Sequence, residues 1–138
     1  MQPFTSCYRV YYEDTDAGGI MYHANYLKFA ERARTDLLRS LNIEQVKLAQ
    51  TAQVILVVSN CQIDYKQAAK LDDEVLVETK INKLGKSYID FNQQMIHKTS
   101  QELLTIIQVK VACVDAISKH PTKLPRVVSD QLLAIINL

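Results

Sequence analysis

One change of hydrophobic period divides this chain and limits what it can fold into. From about Tyr22 to Leu41 the apolar residues Leu27, Ala30, Ala33, Leu37, Leu38 and Leu41 recur every three or four positions, with Lys28, Glu31, Arg32, Arg34, Asp36 and Arg39 between them. That spacing predicts one long amphipathic helix. From Gln53 onward the pattern becomes strand-like, in runs at 53–66, 74–84, 87–98 and 102–115, and a weaker helical piece at 44–52 sits before the change. Ahead of the long helix, residues 4–12 are rich in aromatic and β-branched side chains and run into a turn cluster, Glu13 to Gly19, which predicts a strand ending in a loop.

Turn residues at Leu84–Ser87 and Lys98–Gln101 join the later runs as hairpins, so the order is strand, helix, then antiparallel strands. This order predicts an α+β domain in which a five-stranded antiparallel sheet covers one helix. A single helix cannot cover five strands lying flat, so the sheet is expected to wrap around it. Such a sheet keeps open edges, and a long strand at 53–67 would pair with another copy, which predicts a homodimer or larger assembly. A loop carrying Pro121 and Pro125 should end the last strand, with Ser129 capping a short closing helix at 130–138.

Composition narrows the class. A chain of 138 residues with 48% hydrophobic content suits one domain spanning 1–138. Lys and Arg total 16 against 15 Asp and Glu, a net charge of +1, so no global field draws in nucleic acid. The N-terminal residues lack the pattern of a secretory signal, and the longest aliphatic run, Val54 to Val58, is too short to cross a bilayer. The expectation is a soluble cytoplasmic protein without integral membrane association. Cys7, Cys61 and Cys113 are odd in number and widely spaced, which argues against a disulfide framework or zinc site. Each is expected to be a small buried hydrophobe.

The chemistry concentrates in residues 11–26, where three carboxylates, two glycines and a histidine lie between a strand and a helix start. Gly18 and Gly19 let a substrate approach the backbone closely. The helix behind them offers unpaired N–H groups and the positive end of its dipole. A carboxylate held beside these groups can attack a carbonyl or take a proton from water while the N–H groups stabilise the oxyanion. Glu13 and Asp14 read more simply as solvated or turn-capping residues. Asp14, Asp16 and Gly19 also imitate half of a calcium loop, but Gly18 falls where an oxygen ligand is needed and Asn25 where the loop requires glutamate.

Taken together, Glu13, Asp14, Thr15, Asp16, Gly18, Gly19, Asn25 and Tyr26 resemble the signature of the 4-hydroxybenzoyl-CoA thioesterase family of hotdog proteins. The likeness is strongest to its Tol-Pal-associated acyl-CoA thioesterase branch, which His23 fits in particular. Arg32-Ala33-Arg34, Ile63-Asp64-Tyr65 and Val114-Asp115 extend it along the chain. The resemblance implies a hotdog fold and hydrolysis of short- to medium-chain acyl-CoA to free acid and coenzyme A. It implies no metal and no cofactor, coenzyme A being part of the substrate. Acyl-CoA or an acyl-carrier protein would be the partner, and the assembly a homodimer, a homotetramer or a tetramer of dimers. Asp16 matches the catalytic carboxylate, as nucleophile or general base. The backbone N–H of His23 matches the donor that polarises the thioester carbonyl, and its side chain would orient water or assist proton transfer. Gly18 stands where alanine is also expected, which loosens the turn.

Further candidates carry two readings each. Tyr12, Tyr22 and Tyr26, with Tyr8, would line an acyl tunnel or simply pack; Gly19 would admit the substrate. Lys86 and Lys119, with Lys83, Lys123 and Arg126, would hold coenzyme A phosphates or remain solvated charge. Glu31 is expected to pair with Arg34. Two rival functions remain: a non-catalytic acyl-thioester-binding adaptor of the Tol-Pal machinery, and a hotdog hydroxyacyl-thioester dehydratase. The dehydratase needs a histidine with a carboxylate partner, and the sequence offers His97 and His120 no obvious one.

Overall fold

A computed structural model describes residues 1–138. Strand β1 (Phe4–Arg9) leads through a 3-10 turn (Tyr12–Asp14) to helix α1 (Asn25–Ser40) and helix α2 (Gln45–Thr51). Strands β2 (Val54–Tyr65), β3 (Glu74–Leu84), β4 (Tyr88–His97) and β5 (Leu103–Asp115) follow, and helix α3 (Arg126–Ile136) closes the chain. All pairings are antiparallel, in the order β1-β3-β4-β5-β2. The strands on either side of α1 in sequence therefore occupy opposite edges of the sheet, and the helix carries the chain across one face.

Alternation explains how the sheet buries that face. Val75, Val77 and Ile81 on β3, Ile89, Phe91 and Met95 on β4, and Ile107, Val109, Val111 and Cys113 on β5 are buried, while Lys80, Asn82, Gln94, Gln108 and Lys110 point outward and are exposed. Side chains of period two meet the α1 stripe Tyr26, Phe29, Ala30, Ala33, Leu37 and Leu38 in one cluster of 26 buried residues. Two polar residues enter this core with their bonds made. Gln93 Nε2 donates to the Ala30 carbonyl at 2.9 Å and to Thr79 Oγ1 at 3.0 Å, and Arg34 Nη1 donates to Gln93 Oε1 at 3.0 Å. Burial lowers the Arg34 pKa, an effect that the nearby Glu31 charge opposes.

The helix, hairpins and strand runs follow the sequence expectations, with local corrections. Helix α1 begins at Asn25 rather than Tyr22, and the first strand ends at Arg9, because residues 12–14 coil into the 3-10 turn. Helix α3 starts at Arg126 directly after Pro125, whose φ of −54° suits a helix start. Ser129 consequently lies inside the helix, and its hydroxyl donates to the Arg126 carbonyl instead of capping. Cys113 is buried, but Cys7 and Cys61 are exposed; both sit on edge strands, Cys7 on the outer face of β1, alternating with the inward Tyr8, and Cys61 opposite buried Val109 on the open edge β2. Glu31 accepts from the Thr35 hydroxyl and does not pair with Arg34, which turns inward to Gln93. The 12-residue edge strand β2 is exposed over its middle and carries a bulge at Val58–Asn60. No helix is long and apolar enough to cross a membrane.

Candidate active site

The segment between β1 and α1 is a tight, internally bonded loop. Thr15 and Met21 pair as an antiparallel bridge, the Asp16 N–H donates to the Ile20 carbonyl at 3.0 Å, and the Gly19 N–H returns to the Asp16 carbonyl at 3.1 Å. Gly19 adopts φ +78°, which explains glycine there. At the base of this turn the Gly18 N–H donates to Asp16 Oδ1 at 2.8 Å. Asp16 is exposed, and its Oδ2 takes no bond from the protein.

Asp14 docks this loop onto the helix. Its Oδ1 accepts from Asn25 Nδ2 at 2.9 Å and its Oδ2 from the Tyr11 N–H at 2.9 Å, while its carbonyl accepts from the Tyr22 N–H at 2.8 Å. The carboxylate read as solvated or capping is therefore a buried capping group, spent on internal bonds and unavailable to calcium. The start of α1 stays open: the Asn25 N–H donates to the Tyr22 carbonyl at 2.9 Å, but the N–H groups of His23 and Ala24 find no acceptor in the protein. These free donors lie at the positive end of the helix dipole.

The opposite wall comes from the chain after β2. Tyr65 Oη donates to the His23 carbonyl at 2.7 Å, and the ring meets Tyr26 edge-on, with centroids 5.3 Å apart. Tyr26 Oη accepts from the Ala69 N–H at 3.0 Å, and the Met21 N–H donates to the Ala69 carbonyl at 2.8 Å. Burial raises the pKa of both phenols, so both stay protonated at neutral pH. Between the walls lies a cleft of about 370 Å³ bounded by Asp16, Ile20, Met21, His23, Tyr26 and residues 65–68, within the size range of small-molecule sites.

The structure thus brings Asp16, His23 and Tyr26 to one cleft. Gly19 and Tyr22 belong to the same loop, outside the lining; the Tyr22 ring leans on His23 with centroids 4.5 Å apart. Tyr12 is 82% exposed, and Tyr8 packs its ring against Phe29 instead. Lys86 and Lys119 lie on other loops: the Lys86 carbonyl accepts from the Leu124 N–H, and Lys119 occupies a turn with φ 64°. Tyr65, Lys66, Gln67 and Ala68 line the cleft without having been singled out as site residues. Their only sequence signal was the Ile63-Asp64-Tyr65 match, some forty residues from the loop they face. A smaller cavity of about 80 Å³ under α1, lined in part by Glu31, Arg34, Leu56 and Phe91, lies along the middle of the helix, away from the unpaired amides at its start.

His97 proves to have a carboxylate partner that the sequence did not reveal. Its Nε2 lies 3.2 Å from Asp73 Oδ1, and its Nδ1 accepts from the Ser100 N–H at 3.1 Å. Both ring nitrogens are committed, so no lone pair is left to take a proton from a substrate. The pair fastens two loops together. No group of three His, Cys, Asp or Glu side chains is arranged to hold a metal ion.

The sequence profile of the thioesterase-like superfamily matches residues 10–132. The chain belongs to the thioesterase-like superfamily. It is 48% identical to the acyl-CoA thioesterase YbgC of Haemophilus influenzae over 118 residues, 86% of this chain and 85% of that one. Its fold matches a 1,4-dihydroxy-2-naphthoyl-CoA thioesterase from Synechocystis with a TM-score of 0.89 at 21% identity, covering 95% and 96% of the two chains. A Staphylococcus aureus protein solved in complex with CoA matches with a TM-score of 0.91 at 17% identity, covering 99% and 85%. This thioesterase therefore has the α+β hotdog fold that its sequence led us to expect, and it is an enzyme of thioester hydrolysis.

Proposed function

We propose that this thioesterase hydrolyses short- to medium-chain acyl-CoA to the free acid and coenzyme A, with Asp16 as nucleophile or general base. The observation that carries the reading is the shared cleft of Asp16 and His23, where a carboxylate with a free oxygen lines the same space as the helix start whose first N–H groups are unpaired. The His23 N–H polarises the thioester carbonyl. Asp16 then either attacks the carbonyl carbon, expelling coenzyme A thiolate and leaving an anhydride that water cleaves, or takes a proton from water as that water attacks. The thiolate leaves in both routes: in the general-base route it receives the proton held by Asp16, directly or relayed through the His23 imidazole, and in the anhydride route it takes a proton from solvent water. Neither route calls for a metal or bound cofactor. The acyl-CoA activity named for the Haemophilus influenzae relative supports the choice of substrate.

Tyr26 bounds the acyl side in this reading, the Tyr22 ring backs His23 from outside the cleft, Gly19 gives the thioester access, and Tyr12 borders the loop. Lys66 on the cleft wall is better placed for a coenzyme A phosphate than Lys86 or Lys119. The carrier is coenzyme A or an acyl-carrier protein. The enzyme works in the cytoplasm, where acyl-CoA is made, as a homodimer joined along the open β2 edge or a tetramer of such dimers, in the Tol-Pal-associated branch.

Free-thiol release from acyl-CoA of graded chain length tests the proposal. Asp16→Asn keeps an acceptor for the Gly18 N–H and should lower kcat by at least about 10²-fold. A variant as active as wild type would remove the mechanism. Tight acyl-CoA binding without thiol release would identify a non-catalytic adaptor instead.

A further inference from the structure

We infer that Tyr65 is a positioning residue for the helix-start amides, an inference that rests on the proposed thioester hydrolysis. Two peptide planes meet at His23, and each is held by a different element. The Tyr22–His23 plane is pinned from within the turn, its carbonyl accepting from the Asn25 N–H at 2.9 Å. The His23–Ala24 plane is pinned from outside, its carbonyl accepting from Tyr65 Oη at 2.7 Å. In a regular helix that carbonyl would receive the Leu27 N–H four residues on. Here the Leu27 N–H bonds the Ala24 carbonyl at 3.2 Å, and the tyrosine takes its place.

The arrangement has a direct consequence for the free donors. In a trans peptide the N–H points opposite to the carbonyl, so the hydroxyl that holds the His23 carbonyl also aims the Ala24 N–H. With both planes fixed, the backbone angles at His23 are set before substrate arrives, which is the preorganisation that oxyanion stabilisation needs. The Tyr65 ring is itself braced edge-on against Tyr26, whose hydroxyl is tied to Ala69. Helix start, β2 terminus and the 66–69 segment are thereby locked as one unit. Burial holds the Tyr65 pKa above its ordinary value, so the hydroxyl remains a donor through the neutral range.

Tyr65→Phe removes the hydroxyl and keeps the ring against Tyr26. The His23 carbonyl is then free to swing into the helix and capture the Leu27 N–H, moving the donors without removing a substrate contact. In protein of unchanged Tm, kcat should fall about tenfold with KM within about twofold of wild type, as expected when a transition-state contact is misplaced. Amide NMR resonances of His23 and Ala24 should shift while those of the β3–β4 hairpin stay in place. Wild-type kcat, a change confined to KM, or unmoved amide resonances would overturn the positioning role. Should wild-type protein release no thiol at all, the functional reading falls, and the amide resonances alone decide the role of Tyr65.

Discussion

The side-chain amide of Asn25 donates to Asp14 Oδ1 at 2.9 Å in a buried contact, fastening the first residue of α1 to the loop that carries Asp16. Through this contact the relative position of carboxylate and helix terminus becomes a property of the fold, and several outcomes can be derived from it and its neighbours.

Asn25→Ala should lower both stability and activity. The change leaves a buried carboxylate oxygen without its donor, a loss of about 1–3 kcal/mol. For a chain of this size that corresponds to a Tm lower by roughly 3–10 °C, measurable by calorimetry. A Tm equal to wild type would show that water replaces the amide at no cost.

Gly18→Ala should act on chemistry and spare stability. A Cβ at this position would lie 3.2 Å from Asp16 Oδ1, displacing the carboxylate by a few tenths of an ångström in an exposed turn. Small misplacements of a reacting group are costly, so kcat should drop by about three- to tenfold with Tm unchanged. Equal kcat values would mean that the carboxylate tolerates the shift.

Gln93→Leu should be strongly destabilising although it makes the core more apolar. The glutamine satisfies Ala30, Thr79 and Arg34 together, and without it the buried guanidinium loses its acceptor. A cost of about 2–4 kcal/mol is expected, read from the urea midpoint. A neutral effect would mean that Arg34 reaches another acceptor through the cavity beside it.

Tyr8 should make stability fall at high pH. Burial, and then the hydrogen bond its hydroxyl donates to Asp36, push its pKa from 10.0 to about 12. The folded state therefore holds the proton more tightly than the unfolded chain. The resulting stabilisation is complete below the unfolded value and is lost as pH rises through about 12. Denaturation curves between these limits should flatten in Tyr8→Phe, and an unchanged slope would refute the assignment.

Much of this architecture was legible in the order of residues. Apolar spacing in 22–41 and the alternation in 74–115 report local periodicity, and a helix stripe or a strand face needs no knowledge of its partner. The same holds for the acid- and glycine-rich loop, where Asp16, Gly19 and His23 are neighbours along the chain. Helix boundaries were less visible: the start of α3 depended on Pro125 as its first-turn neighbour, and Ser129 offered a competing cap with equal local merit.

Tertiary structure alone decided what the loop faces. Tyr65 and Lys66 reach the cleft because β2 occupies the edge opposite β1, a pairing that depends on sheet order and leaves no mark on local spacing. Asp73 meets His97 through the register of the β3–β4 pair, and Asp14 meets Asn25 because the loop folds back on the helix start; apolar spacing reports neither. Cys61 shares a face with buried Val109 and is exposed because its strand is an edge, which period-two alternation by itself does not reveal. Sequence determined the chemical groups and the elements that carry them. Burial and proximity, which arise only when distant segments pack, determined that one carboxylate became a structural pin and its neighbour two residues later was left open to a substrate.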